Sequence, residues 1–273
     1  MDASQTPSTP AAPIASTVDA PPRERSVRVV HDRVREDFEA FVNAPDFSCL
    51  GARAALHHDA YRFGAYGAMG SDAATASLAH DLAAFAAPHA DDDFATFVAV
   101  FLDSPPTGEA EFEARLWSTL RALHAVDAEA GWDPAVSDDP ADPHFSFSFG
   151  GRAFFVVGLH PESSRVARRF GWPALVFNPH AQFQRLRADG RYVRLRETIR
   201  ARELALQGTL NPNLGDFGEA SEARQYSGRA VEPGWECPFH RPESPPPSSA
   251  ERSGTHAVQA DRKPACPHSA AIR

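Results

Sequence analysis

Cysteine, histidine and arginine are the side chains of this chain whose type and placement could do chemistry. Its three cysteines, Cys49, Cys237 and Cys266, are too few and too odd in number for the disulfide framework of a small secreted domain. Metal ligation or redox chemistry is the special role open to them, and the alternative is three ordinary reduced thiols. His160 and His180 occur in Leu159-His160-Pro161 and Asn178-Pro179-His180, each at the end of an expected strand. Loops collect functional groups at such places, and a neutral imidazole there can ligate a metal or hold a hydrogen bond. Cys237, His240, Cys266 and His268 offer a zinc ligand set, but their Cys-x-x-His and Cys-x-His spacings are not those of a finger. His57 and His58 are expected to share a helix turn with Tyr61 and Arg62, with at least one imidazole at the surface.

The elements that must position these groups can be read from periodicity. Val30, Val34, Phe38 and Phe41 recur at helical intervals and predict a helix ended by Pro45. Residues 47–70 are rich in glycine and tyrosine, and the glycines imply a close approach of backbone to a neighbour. Leu78, Leu82 and Phe85 mark a second helix, stopped by Pro88. Phe94 to Leu102 is β-branched and aromatic and reads as a buried strand. A helix follows from about Gly108 to Ala128, acidic in its first turns, with an inner stripe of Phe112, Leu116, Leu120 and Leu123.

After a Pro- and Asp-rich loop, residues 144–159 predict a hairpin turning at Gly150-Gly151, the clearest local pattern in the chain, with HFSFSF before the glycines and FFVVGL after them. A short helix around Ser163 to Phe170, a strand at Ala174 to Phe177 and a basic amphipathic helix from Tyr192 to Leu206 complete the reading. The order lacks strict β-α alternation, so the expected fold class is α+β, one domain with an antiparallel or mixed sheet packed by helices.

Composition sets the limits. The 273 residues carry a net charge of −9, which supplies no positive field for nucleic acid or an anionic membrane. No apolar run approaches the roughly 20 residues of a membrane span, and the first residues show neither a basic nor an apolar signal region. A cytoplasmic protein is expected. Residues 1–26 and 241–273 are Pro-, Ala- and Ser-rich and read as disordered tails around a core at 27–240.

Read in order, SCLGARAAL, YRFGAYGAMG, FVAVF, LWSTLRALHAVD, the long segment WDPAVSDDPADPHFSFSFGGRAFFVVGLHPESSRVARRF, LVFNPHAQF, LNPNLGDFGEASEARQYSGR and WECPF resemble the YqcI/YcgG family over about residues 27–240. That family includes haem-dependent enzymes that N-hydroxylate a guanidine nitrogen in D-cycloserine and guanitoxin biosynthesis. The resemblance implies haem b, O2, an external electron donor delivered by a redox partner or reductase, and a guanidino or amino-acid substrate such as L-arginine. The residues alone do not specify haem: there is no C-x-x-C-H attachment motif.

Given that resemblance, Cys49 is the expected iron ligand. A thiolate pushes electron density onto haem iron and favours O–O cleavage, and the small residues Gly51, Ala52, Ala54 and Ala55 would let a flat macrocycle approach. Cys237, beside Pro238, competes with it, unless Trp235 and Phe239 merely dock the C-terminal segment. His160 and His180 are further axial or propionate-binding candidates. Arg165, Arg168 and Arg169 at a helix start, with Arg62 and Arg224 as alternatives, are the cations expected for the propionates. Asp138, Asp139, Asp142 and Glu222 are the carboxylates available to a guanidinium substrate. The competing expectations are a haem-binding or sensing protein without turnover and a non-haem protein that binds a small molecule.

Overall fold

The computed structural model describes residues 22–86 and 94–239. Pro88, His240, Cys266 and His268, and with them the zinc set and most of both tails, lie outside the described residues. The elements are α1 (Pro22–Asn43), α2 (Leu50–His57), β1 (Tyr61–Tyr66), α3 (Asp72–Ala86), β2 (Thr96–Phe101), α4 (Glu109–Val126), β3 (Phe147–Phe149), β4 (Arg152–Leu159), β5 (Ala174–Pro179), α5 (His180–Ala188), α6 (Arg191–Gln207) and α7 (Ala223–Tyr226). The fold is α+β, as expected. Among the described residues its five strands form one mixed sheet, in the order β1-β2-β5-β4-β3, with β1 and β2 parallel and every other pair antiparallel.

Strand alternation divides the molecule into two layers. Phe97, Ala99 and Phe101 of β2, Phe154 and Val156 of β4, and Leu175 and Phe177 of β5 enter one core with α3, α4 and Tyr226. Val98, Val100, Leu159, Ala174 and Val176 enter the other, with α1 and the α2 region. The first core is dense. Phe112, Leu116, Leu120 and Leu123 of α4 are essentially inaccessible, as their spacing predicted, and Trp117 beside them is equally buried. Gly158 lets α4 lie close to β4, since a Cβ there would stand 2.6 Å from the Phe112 ring.

Several local readings are sharpened or corrected. Gly150 and Gly151, at φ 60° and 67°, make the hairpin turn two residues long, the left-handed pair that matches strand twist. Helix α1 begins at Pro22, inside the segment that composition marks as a tail; proline suits the first helical turn, where its missing N–H has no partner to lose. Val30 is 48% exposed, and the buried stripe is Val34, Phe38 and Val42. Tyr61 and Arg62 do not share a helix turn with His57 and His58. Helix α2 stops at His57, Asp59 turns the chain at φ 52°, and Tyr61 starts a strand that pairs with Thr96. Strand β1 went unread because its Gly-Ala centre carries little β-branched signal. The region after Ser163 is a short 3-10 turn, Val166–Arg168, in place of the expected helix.

Candidate functional site

The second layer does not close. Between the sheet, α1, α2, α5 and α6 lies a cavity of ≈ 280 Å³, just below the roughly 300–1,000 Å³ usual for small-molecule sites. Its walls are mostly apolar, with Phe38 and Phe47 on one side, Val98, Val157 and Val176 on the sheet, and Leu195 and Ile199 on α6. No side chain of α6 is fully buried, so that helix covers the cavity without filling it. Phe94, also on the wall, holds φ at 64°, a conformation that bulky residues adopt only under constraint.

Cys49 is in this cavity. It is the N-cap residue of α2, in extended backbone, and is half-buried. Burial pushes its thiol pKa up; the amides of Gly51 and Ala52 and the Arg168 guanidinium pull the other way. Those amides belong to the open N-terminal turn of α2, where partial positive charge favours an anion. The sulfur is therefore a thiol by itself, in surroundings that would support a thiolate once a metal removed the proton.

The arginines divide unequally. Arg165 lines the cavity, but its guanidinium bonds Glu203 and the hydroxyl and carbonyl of Thr209. The backbone donors expected to serve an anion at this turn are also engaged: Arg165 N–H bonds Ser163, and Val166 N–H bonds the Gln207 side chain. Arg168 lines the cavity too, donating to the Tyr226 and Gly158 carbonyls. Burial lowers its pKa to about 10, so it stays a cation. Arg169 bonds the Ser163 carbonyl. Arg62 is exposed on β1 and is not part of the cavity wall, and Arg224 pins the C-terminal segment through the carbonyls of Glu232 and Trp235.

The remaining candidates stand elsewhere. Cys237 packs against the dense core on the opposite face of the sheet, and burial pushes its thiol to about 12. Phe239 is inaccessible among Trp117, Trp132, Phe145 and Phe147, so this segment docks on the core. His160 stacks on Phe112 at 4.3 Å, also on the dense side, and burial lowers its pKa. His57 and His58 are exposed. Asp139 and Asp142 accept backbone N–H bonds from Ala141 and His144, the work of turn-forming residues. Asp138 is half-buried in the same loop.

His180 and Glu222 form a separate, smaller site. His180 opens α5, a helix that sequence reading missed because its single apolar turn, Phe183 and Leu186, is short. The pair lines a pocket of ≈ 100 Å³ with Arg187, Tyr192 and Phe217, and Phe155, Phe183 and Gln225 line both this pocket and the larger cavity.

The larger cavity thus combines one soft donor, Cys49, with apolar walls and a half-buried cation, Arg168. That donor is of the type that holds a haem b through a thiolate, and Arg168, whose partners are two neutral carbonyls, keeps its charge for an anionic edge where Arg165 is neutralised by Glu203. Among the described residues no group of three or more His, Cys, Asp or Glu side chains is placed to hold a metal ion. Also among them, no helix is long and apolar enough to cross a membrane. Glu203, Phe94, Leu195 and Ile199 are site residues that the sequence reading did not single out; the last two, four residues apart on a helix expected to be amphipathic, were the available signal.

No curated protein and no solved structure matches the chain. The model of the YqcI/YcgG family matches residues 38–240, a span that takes in every wall of the cavity, Cys49 and the docked Phe239, and the chain belongs to that family.

Proposed function

We propose that this protein is a haem-dependent monooxygenase that N-hydroxylates a guanidine or amine nitrogen of a small amino-acid substrate such as L-arginine, drawing electrons from a redox partner in the cytoplasm. The observation that carries the reading is Cys49, set at the N-terminus of α2 and lining an apolar cavity. Bound haem would supply the activation of O2. The chain's own groups have simpler tasks. Cys49 would hold the iron, with the Gly51 and Ala52 amides and Arg168 offsetting the charge on sulfur. Phe38, Phe47, Val98 and Ile199 would exclude water, which strengthens each remaining polar contact. Arg168 would hold an anionic edge of the cofactor.

A second reading is supported by the protonation and pairing of the same groups. Burial keeps the Cys49 thiol protonated and Glu203 already occupies Arg165, which suits a pocket for an uncharged apolar molecule. Purification of the full chain from haem-supplied cells separates the two. A Soret band and a hydroxylated product in arginine incubations with O2 and a reductant, read by mass spectrometry, are the expected results. A folded, colourless protein contradicts haem dependence, and a Soret band without product leaves a haem-binding protein.

A further inference from the structure

Three oxidisable rings stand in line between the larger cavity and the surface. Tyr226 of α7 and Trp117 of α4 are both inaccessible and stack with centroids 5.6 Å apart at 21°. Trp117 meets Trp235 at 6.2 Å, and Trp235, on the docked C-terminal segment, is half-buried and partly open to solvent. At the other end Tyr226 meets Phe155 at 5.7 Å, and Phe155 lines the cavity. One ring therefore separates the phenol from whatever the cavity holds. Indole and phenol each give up one electron far more readily than a benzene ring, so in a core rich in phenylalanine these three form a path of their own.

Tyr226 is equipped to hold the charge that such a loss creates. Its hydroxyl donates to Glu222 Oε1 at 2.7 Å, against 3.2 Å to the Phe154 carbonyl, and accepts the Phe147 N–H. A phenol that loses an electron becomes a strong acid, and a carboxylate already hydrogen-bonded to it takes the proton without any movement of the chain. Trp117 has no such acceptor, since its Nε1–H is buried without a partner. Trp235 has the Arg224 guanidinium 5.5 Å from its ring, which disfavours a lasting positive charge there. The indoles are points of passage, and Tyr226 is the resting place. Tyr66 gives the contrast: it too donates to a carboxylate, Asp81, but the ring it meets is Phe101.

We infer that Tyr226, Trp117 and Trp235 form a one-electron relay between the larger cavity and solvent, with Glu222 as its proton acceptor. A one-electron oxidant in the cavity takes an electron from Tyr226; the O–H bond breaks, the proton passes to Glu222 Oε1, and a neutral phenoxyl radical remains. Trp117 returns an electron to it, the O–H bond re-forms with the proton from Glu222, and the indole cation is reduced in turn by Trp235. A one-electron reductant in solvent, such as ascorbate or a thiol, restores Trp235 and is itself oxidised. The relay discharges an oxidant that has met no substrate before it attacks the cavity walls. That the oxidant is a haem iron rests on the function proposed above, whereas the relay rests on these rings and the carboxylate.

Protonation adds a signature. Burial raises the Glu222 carboxyl to about 7, and the groups facing it are Ser146 before β3, Tyr226 on α7, and His180 and Arg187 on α5. The ionised carboxylate is the form that can take the phenol proton, so the Tyr226 radical should form above about pH 7 and fade below it.

Flash photo-oxidation of the full chain, as purified, by a ruthenium tris-bipyridine complex with persulfate, read by freeze-quench EPR, tests the relay from its solvent end and needs no haem. The native chain is expected to give a tyrosyl radical that grows as pH is raised through about 7. Tyr226→Phe, which keeps the ring, should lose that signal, and Trp235→Phe should lose most of it. Glu222→Gln should lose most of the yield together with its pH dependence, and Tyr66→Phe should leave the signal intact. A tyrosyl signal unchanged in a folded Tyr226→Phe, or one of full yield in Trp235→Phe or Glu222→Gln, overturns the inference. Absorption spectra of the same samples keep the two proposals apart: a Soret band without a Tyr226 radical removes the relay alone, and a Tyr226 radical in a colourless chain upholds it without haem.

Discussion

The two faces of one sheet have been put to different uses. On the α3/α4 face, side chains from every strand interlock with Trp117, Leu116 and Leu120, and the C-terminal Phe239 closes the layer. On the α1/α2/α6 face, the strands present smaller residues, Val98, Val157 and Val176, to a helix that buries nothing fully, and a cavity remains. Dense packing on one side supplies the stability that lets the other stay open, since voids forfeit dispersion and transfer energy. The cysteines follow the same division. Cys237 is packed with the dense core, and Cys49 borders the cavity.

This contrast can be broken most forcefully at Trp117. Its ring is inaccessible and meets Tyr226, Trp235 and Phe239, so Trp117→Ala should lose roughly 3–5 kcal/mol in urea unfolding. A loss below about 1 kcal/mol would mean that the two faces are packed alike. Enlargement sharpens the comparison. Ala79→Trp in the dense core should cost about 1–3 kcal/mol or more, whereas Ala52→Trp, projecting into the cavity, should leave the unfolding midpoint near that of the native chain while blocking haem uptake.

A pH effect comes next, and it belongs to the small pocket. The Glu222 carboxyl is raised from 4.5 to about 7 by burial, so its contribution to stability is full at low pH and is lost as pH rises through about 7. His180 is lowered from 6.5 to about 4, so its contribution is present above 6.5 and is lost as pH falls toward 4. The two oppose each other in between. Glu222→Gln removes the first, and its stability relative to the native chain should climb as pH is raised from about 4.5 to 7, by up to roughly 3 kcal/mol in urea titrations at each pH. A parallel pair of curves would place the Glu222 carboxyl in water. The smallest effect is expected at Arg62, exposed and away from the cavity wall: Arg62→Ala should change stability by less than about 0.5 kcal/mol and leave haem binding intact.

What was legible in the sequence follows the same division. The dense face announced itself, because Phe112, Leu116, Leu120 and Leu123 repeat at helical spacing and the Gly150-Gly151 hairpin carries its turn chemistry in two residues. The open face did not. Strand β1 has Gly64 and Ala65 at its centre, where a Cβ on Gly64 would overlap the Tyr66 phenol, and α5 has too few apolar positions to show a period. Cys49 was singled out through the family resemblance, since a lone thiol has no spacing to read. The pairing of Arg165 with Glu203, 38 residues on, and the approach of His180 to Glu222 depend on how the chain folds back, which local pattern does not encode.

The reduced, CO-treated absorption spectrum of the full chain, compared with that of Cys49→Ala, tests the central claim most directly. The account predicts a Soret band at the red-shifted position of thiolate-bound haem in the native chain, and its loss or return to an ordinary position in a Cys49→Ala protein that unfolds at nearly the same urea concentration. A spectrum unchanged by Cys49→Ala, or no haem in the folded native chain, would contradict it.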